Sequence, residues 1–187
     1  MFKFVLIIYL FLFSLVSADE KQWVVEKDKN ITTVSMNGDV QHGDVLMFWL
    51  KKVDGKCDTV SHVFTFYSAK NNPNIEILKD KIIPINIKGE TYNDGNVYAQ
   101  ISYLSEFLMG HRIYFSIGVY NINEHINYLS KHKSFDVTIS DDHYPNKEID
   151  NSIKNFKADD YFDIKNNSWS LNGLKEAIQK GRELCLT

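Results

Sequence analysis

Apolar side chains occupy every second position along His111–Tyr120: Ile113, Phe115, Ile117 and Val119 face one way, and Tyr114, Ser116, Gly118 and Tyr120 the other. A repeat of two is what a half-buried strand requires and what a helix cannot use. Val97–Tyr103 alternates in the same way, and Val60–Tyr67 carries β-branched and aromatic residues on both faces. Val45–Leu50 is a continuous apolar run of strand length, as expected of a central strand. Trp23–Glu26, Ile31–Met36, Ile75–Leu78, Ile82–Ile87 and Phe135–Ile139 complete the set, with Pro84 marking an edge or a bulge because it cannot donate to a ladder. Turn-forming residues separate the runs at Asp28-Lys29-Asn30, Asn37-Gly38-Asp39, Asp54-Gly55-Lys56, Asn71-Asn72-Pro73 and Asn93-Asp94-Gly95. The pattern predicts a mainly β domain, an antiparallel β-sandwich-like fold or a partly closed barrel.

Helical spacing interrupts the strands in a few places. Leu104–Met109 reads as a short turn, Glu124–Lys131 is ambiguous, and Asn146–Phe156 places Ile149, Ile153 and Phe156 on one face of an otherwise polar segment. The clearest helix is C-terminal: Asn172 is a candidate N-cap, and Leu174–Leu184 is amphipathic. Cys185 falls eleven residues after Leu174, within about 20° of the apolar stripe at 3.6 residues per turn. Cys57 and Cys185 are the only cysteines, and a thiol on the buried helix face can reach a partner on the sheet. The expected bridge is Cys57–Cys185, the alternatives being two separate thiols or pairing with another chain.

Residues 1–18 carry one lysine, an apolar stretch from Phe4 to Val16 and small residues before Asp19-Glu20, the layout of a cleavable export signal. The run is shorter than the roughly twenty apolar residues that span a bilayer. The expectation is a signal peptide at 1–18 and a single β-rich secreted or periplasmic domain at 19–187, with no stable membrane span once the leader is cut. The formal charge is −3, and loss of Lys3 with the leader leaves −4. Arg112 and Arg182 are the only arginines, which together with the acidic balance argues against nucleic acid as a partner.

Catalytic patterns are weak. The histidines His42, His62, His111, His125, His132 and His143 show no zinc-ligand spacing, and as a default they are solvated surface residues; His125 and His132 would share a face if their segment is helical. Asp141-Asp142 and Asp159-Asp160 are adjacent acids in polar segments, there is no Gly-x-Ser-x-Gly elbow, and Gly38, Gly43, Gly55, Gly89 and Gly95 stand in turns rather than phosphate loops. No catalytic residue, metal or cofactor is therefore assigned. Tyr98, Tyr103, Tyr114 and Tyr120 either line an exposed recognition face or cover the outside of an ordinary sheet. Asn30-Ile31-Thr32 and Asn166-Asn167-Ser168 match the N-glycosylation sequon, meaningful only in a eukaryotic secretory path.

Near the C-terminus, Trp169-Ser170-Leu171-Asn172-Gly173-Leu174-Lys175-Glu176-Ala177-Ile178 resembles the Ser-Leu-x-Gly-apolar-x-x-Ala ending of small exported bacterial β-domains such as the invasion-associated locus B family. It is also similar to the ending of a periplasmic accessory family linked to type VI secretion, and Val97–Ile101 with Leu104–Gly110 looks like the segment that precedes the ending in the first family. The resemblance implies an envelope or secreted protein that works by binding and carries no catalytic set. The leading expectation is an exported, non-enzymatic binding or accessory protein with a protein partner in the envelope or the host. The alternatives are a small secreted hydrolase with dispersed acids, or a carrier of an apolar ligand inside a barrel.

Overall fold

The protein is described by a computed structural model over residues 22–40, 43–70, 72–88, 96–141 and 152–187. The leader and the Asn93-Asp94-Gly95 turn lie outside these ranges. The described residues form nine strands: β1 (Val24–Asp28), β2 (Ile31–Asn37), β3 (Val45–Lys51), β4 (Thr59–Ser68), β5 (Ile82–Lys88), β6 (Asn96–Phe107), β7 (Gly110–Asn121), β8 (Ser134–Ile139) and β9 (Asn166–Ser170). They form one antiparallel sheet in the order β1-β2-β3-β4-β7-β6-β5-β8-β9. Helix α1 (Ile122–Leu129) follows β7 directly, and α2 (Leu174–Leu186) ends the chain and packs on β1, β2 and β3.

The sheet is curled. Three strands separate β4 from β8, yet Phe64 of β4 reaches Phe135 of β8 and Trp169 of β9, each with ring centroids 5.9 Å away. Inner faces can meet across that interval only if the accumulated twist rolls the sheet toward a barrel. The roll stops short of closure, because β1 and β9 do not pair. Instead the end of β9 meets the β2–β3 connection, where the amide of Asp39 donates to the Ser168 carbonyl at 2.7 Å and that of Val40 to Asn167 Oδ1 at 3.0 Å. The expected mainly β antiparallel fold with a packed C-terminal helix is therefore observed, as one open, curled sheet rather than two stacked ones.

Inside the curl lie Phe48, Phe64, Phe66, Phe115, Phe135, Phe162 and Trp169, all buried. Burying one such side chain contributes about 1.5–3 kcal/mol, so these rings dominate the core, and they fill its centre with ring on ring: Phe64 stacks on Phe115 at 5.0 Å.

Several local expectations change in the folded chain. Leu104–Met109 is not a helical turn: Leu104–Phe107 continues β6 because it pairs with Ile113–Gly110 of β7. Ile75–Leu78 is a 3₁₀ turn that buries Ile75 and Leu78, not a strand. The residue that precedes α2 is Gly173 at φ +74, which makes no side-chain cap, so Asn172 is not the N-cap. Ile153 and Phe156 follow a bridge from Ser152 to Ile82 and lie in turn and irregular backbone, while residues 146–151 fall outside the described ranges. Pro84 sits in an interior strand, but its carbonyl accepts from Ser140, just past the β8 ladder, so its missing N–H faces a place where pairing has ended.

One irregularity decides what enters the core. Between β4 and β7 the register slips so that Val63 faces Ser116 and His62 faces Gly118, leaving Ile117 as the extra residue. Gly118 takes φ +140, a conformation that side-chain-bearing residues rarely adopt. Beyond the bulge the alternation changes phase: Val119 is 65% exposed, and Tyr120, expected on the outer face, packs against the core instead.

Candidate binding groove between the two helices

Both helices are short, and both are fixed through the same point. Apolar residues recur in α1 at Ile122, Ile126 and Leu129, and in α2 at Leu174, Ala177, Ile178 and Cys185, so each buries one face against the sheet. Asn121 caps α1, its side-chain oxygen accepting from the amides of Asn123 and Glu124 at 3.0 and 3.3 Å. The anchor lies in the β3–β4 connection. Cys57 meets Cys185 of α2 with the sulfurs 2.09 Å apart and the Cα atoms at 6.3 Å, the pairing expected from the helix geometry. The next residue, Asp58, receives the Arg182 guanidinium of α2 on its carboxylate, and its carbonyl accepts the first amide of α1, Ile122, at 2.9 Å. Two consecutive residues thus hold both helices.

The space between the helices is a groove of about 300 Å³. Ile122, Ile126, Ile178 and Leu186 form its apolar floor, and the rim carries amides and charges: Asn123 and Asn127 from α1, Gln179, Lys175, Arg182 and Glu183 from α2. Leu186 remains 44% exposed there, available to a visitor. An apolar floor inside a hydrogen-bonding rim suits recognition of an amphipathic partner.

Beneath the groove, α1 turns His125 inward. Its Nε2 lies 2.9 Å from Nδ1 of His62, which is wholly buried on β4 between Phe48 and Phe135, with ring centroids 4.8 and 4.7 Å away. Tyr120, brought in by the bulge, stacks on His125 at 4.1 Å with planes 6° apart, and its hydroxyl donates to the Ile117 carbonyl at 2.6 Å. Burial holds His62 well below the usual imidazole range, with repulsion from His125 adding to it, and burial lowers His125 to about 4. Both rings are neutral at pH 7. They overturn the expectation that the histidines are solvated surface groups.

The remaining candidates are dispersed. His132 lies beyond the end of α1 beside Tyr128, so it does not share a helix face with His125. His111 is on β7, and His42, His143, Asp142, Gly89 and Gly95 fall outside the described residues. Asp141 accepts from the amide of Ala158 at 2.8 Å, and Asp159 pairs with Lys165 at 2.8 Å, while Asp160 lies in the same 3₁₀ turn as Asp159. None of these acids lines the groove. Tyr103 and Tyr114 meet at 5.5 Å on the outer sheet face, Tyr103 being 54% exposed, and Tyr98 is half-buried. Among the described residues no group of three or more His, Cys, Asp or Glu could hold a metal ion.

Sequence reasoning missed the histidine pair, although a signal existed. His62 shares its parity with Val60, Phe64 and Phe66, and His125 stands three residues after Ile122, so both positions belong to inward faces. Asp44, a carboxylate that is also buried, gave no such sign. Compared with protein-family models, curated proteins and solved structures, the chain matches none.

Proposed function

We propose that this protein is an exported, non-enzymatic binding domain of a bacterial envelope or host interface, and that an apolar-faced segment of a protein partner docks in the α1–α2 groove. The groove carries the reading: its floor of isoleucines and leucine is ringed by Asn123, Asn127 and Gln179, which offer both donors and acceptors to a partner's backbone. The cysteine pair at bonding distance is compatible with an oxidising compartment. No described helix is long and apolar enough to cross a membrane. The carrier reading loses support because stacked rings occupy the middle of the curled sheet.

A photo-activatable group at Asn127 or Gln179 should trap a protein from envelope or host extracts that the same group at exposed Glu76 does not. Leu186→Lys should weaken retention of that protein at least tenfold without lowering Tm by more than a few degrees, since Leu186 is largely solvated already. Equal trapping from Glu76, or undiminished retention by the Leu186 variant, would remove the groove as the docking site.

A further inference from the structure

The two buried histidines do not line the groove, yet His125 belongs to α1, which forms one of its walls. His125 of α1 extends its imidazole into the core, and its partner His62 is fixed on β4. The other buried residues of α1 are aliphatic, Ile122, Ile126 and Leu129, with half-buried Tyr128 packed against the core beside them. Outside the pair, the Asp58 carbonyl and the Asn121 side chain hold the helix backbone at its first turn. We propose that the His62–His125 contact is an acid-sensitive latch that holds α1 against the sheet, so that acidification loosens this wall and discharges whatever occupies the groove. The latch stands on its own geometry; its consequence for a partner rests on the groove reading.

The chemistry follows from what surrounds the pair. One proton is shared between His62 Nδ1 and His125 Nε2, and Nε2 of His62 is buried without a hydrogen-bond partner. The less costly tautomer lets His62 Nδ1–H donate, since a bare buried acceptor is easier to tolerate than a buried N–H. A second proton would place an imidazolium among carbon. From β3 and β8 the rings that meet the pair are Phe48 and Phe135. β7 contributes the Tyr120 phenol, whose hydroxyl is taken by Ile117. Glu124 of α1 is exposed in the first turn, and Arg182, Glu183 and Lys175 of α2 line the groove. Burial lowers both histidines, repulsion from His125 adds to it at His62, and no carboxylate offsets either. Release of α1 lets both rings charge in water.

The sign is fixed by this. The folded value lies below the unfolded one, so the latch is whole above about pH 6.5 and weakens as pH falls toward 4. With His125 moving from about 4 to an open-state value near 6.5, the population with α1 released should rise about thirtyfold between pH 7.5 and pH 5, His62 adding to it.

Amide hydrogen exchange of the purified protein at these two pH values, corrected for intrinsic rates, tests the latch without any partner. Protection across Ile122–Leu129 should fall thirtyfold or more while the amides of β3 and β4 keep theirs. The double variant H62F/H125F, which replaces both partners with apolar rings and orphans neither, should show no such loss. Unchanged α1 protection at pH 5, the same loss in the double variant, or a loss shared equally by β3 and β4 would overturn the proposal. Should the double variant fail to fold, NMR titration of the two imidazoles decides: rings that charge while α1 stays protected, or stay neutral while it opens, refute the latch. Because no ligand enters this experiment, its failure is separate from failure of the groove.

Discussion

Asp44 is fully buried, yet its carboxylate is well provided for: Oδ1 accepts from the Tyr67 amide at 2.6 Å and Oδ2 from Asn167 Nδ2 at 2.8 Å. Burial outweighs these bonds and the nearby Arg112 charge, and lifts the carboxyl to about 7. Here the folded value lies above the unfolded one, so Asp44 favours the fold at low pH and subtracts stability as pH rises from about 4 to about 7. The histidine pair has the opposite sign over the same range. Two variants separate the contributions. Asp44→Asn leaves the histidines alone, and its urea unfolding free energy should drop from pH 7.5 to pH 5. H62F/H125F leaves Asp44, and its stability should climb over the same step. Asp44→Asn should also cost about 1–3 kcal/mol at pH 5, because its amide would point a donor at Asn167 Nδ2, whose own oxygen is held by Val40 and Ser168. Of these residues only the histidines leave a sign in the sequence, their strand and helix parity, which ran against the expectation of solvated surface groups; a lone acid before an apolar run gives no sign of whether the chain folds over it.

At the scale of elements, α2 depends on a missing side chain. A Cβ on Gly181 would lie 2.5 Å from Cγ2 of Val34, so the helix rests on β2 at a distance only glycine permits. Gly181→Ala should therefore destabilise by about 1–3 kcal/mol in urea, although alanine is the better helix former by about 1 kcal/mol. Strands with alternating apolar residues were readable directly, and β2, β3, β4, β7 and β8 emerged within a residue or two of their sequence limits. β9 was not, because Asn166-Asn167-Ser168-Trp169-Ser170 contains one apolar residue, and only pairing with β8 makes it a strand. The same pairing logic turned Leu104–Phe107 from helix to strand. The bulge at Ile117 was invisible for another reason: alternation in one strand cannot report a slip against its neighbour, and that slip is what sends Tyr120 to His125.

For the molecule as a whole, the cysteine pair ties positions 128 residues apart, and closing a loop of that length is worth about 4–5 kcal/mol in the chain-entropy picture. Unfolded but unreduced protein should show no free thiol, and reduction should lower Tm markedly; two thiols before reduction would remove the bridge. That pairing was legible because helical spacing put Cys185 on the buried stripe. The single curled sheet was not, since whether strands stack as two layers or roll into one depends on contacts between residues as distant as Phe64 and Trp169.

The juncture at Cys57-Asp58 couples the two helices like doors hung on one post. A reductant that severs the sulfur link acts on α2 alone, yet α2 also grips Asp58 through Arg182, and Asp58 carries the first amide of α1. Thiol chemistry at one helix should therefore be felt as faster amide exchange in the other, where no cysteine lies.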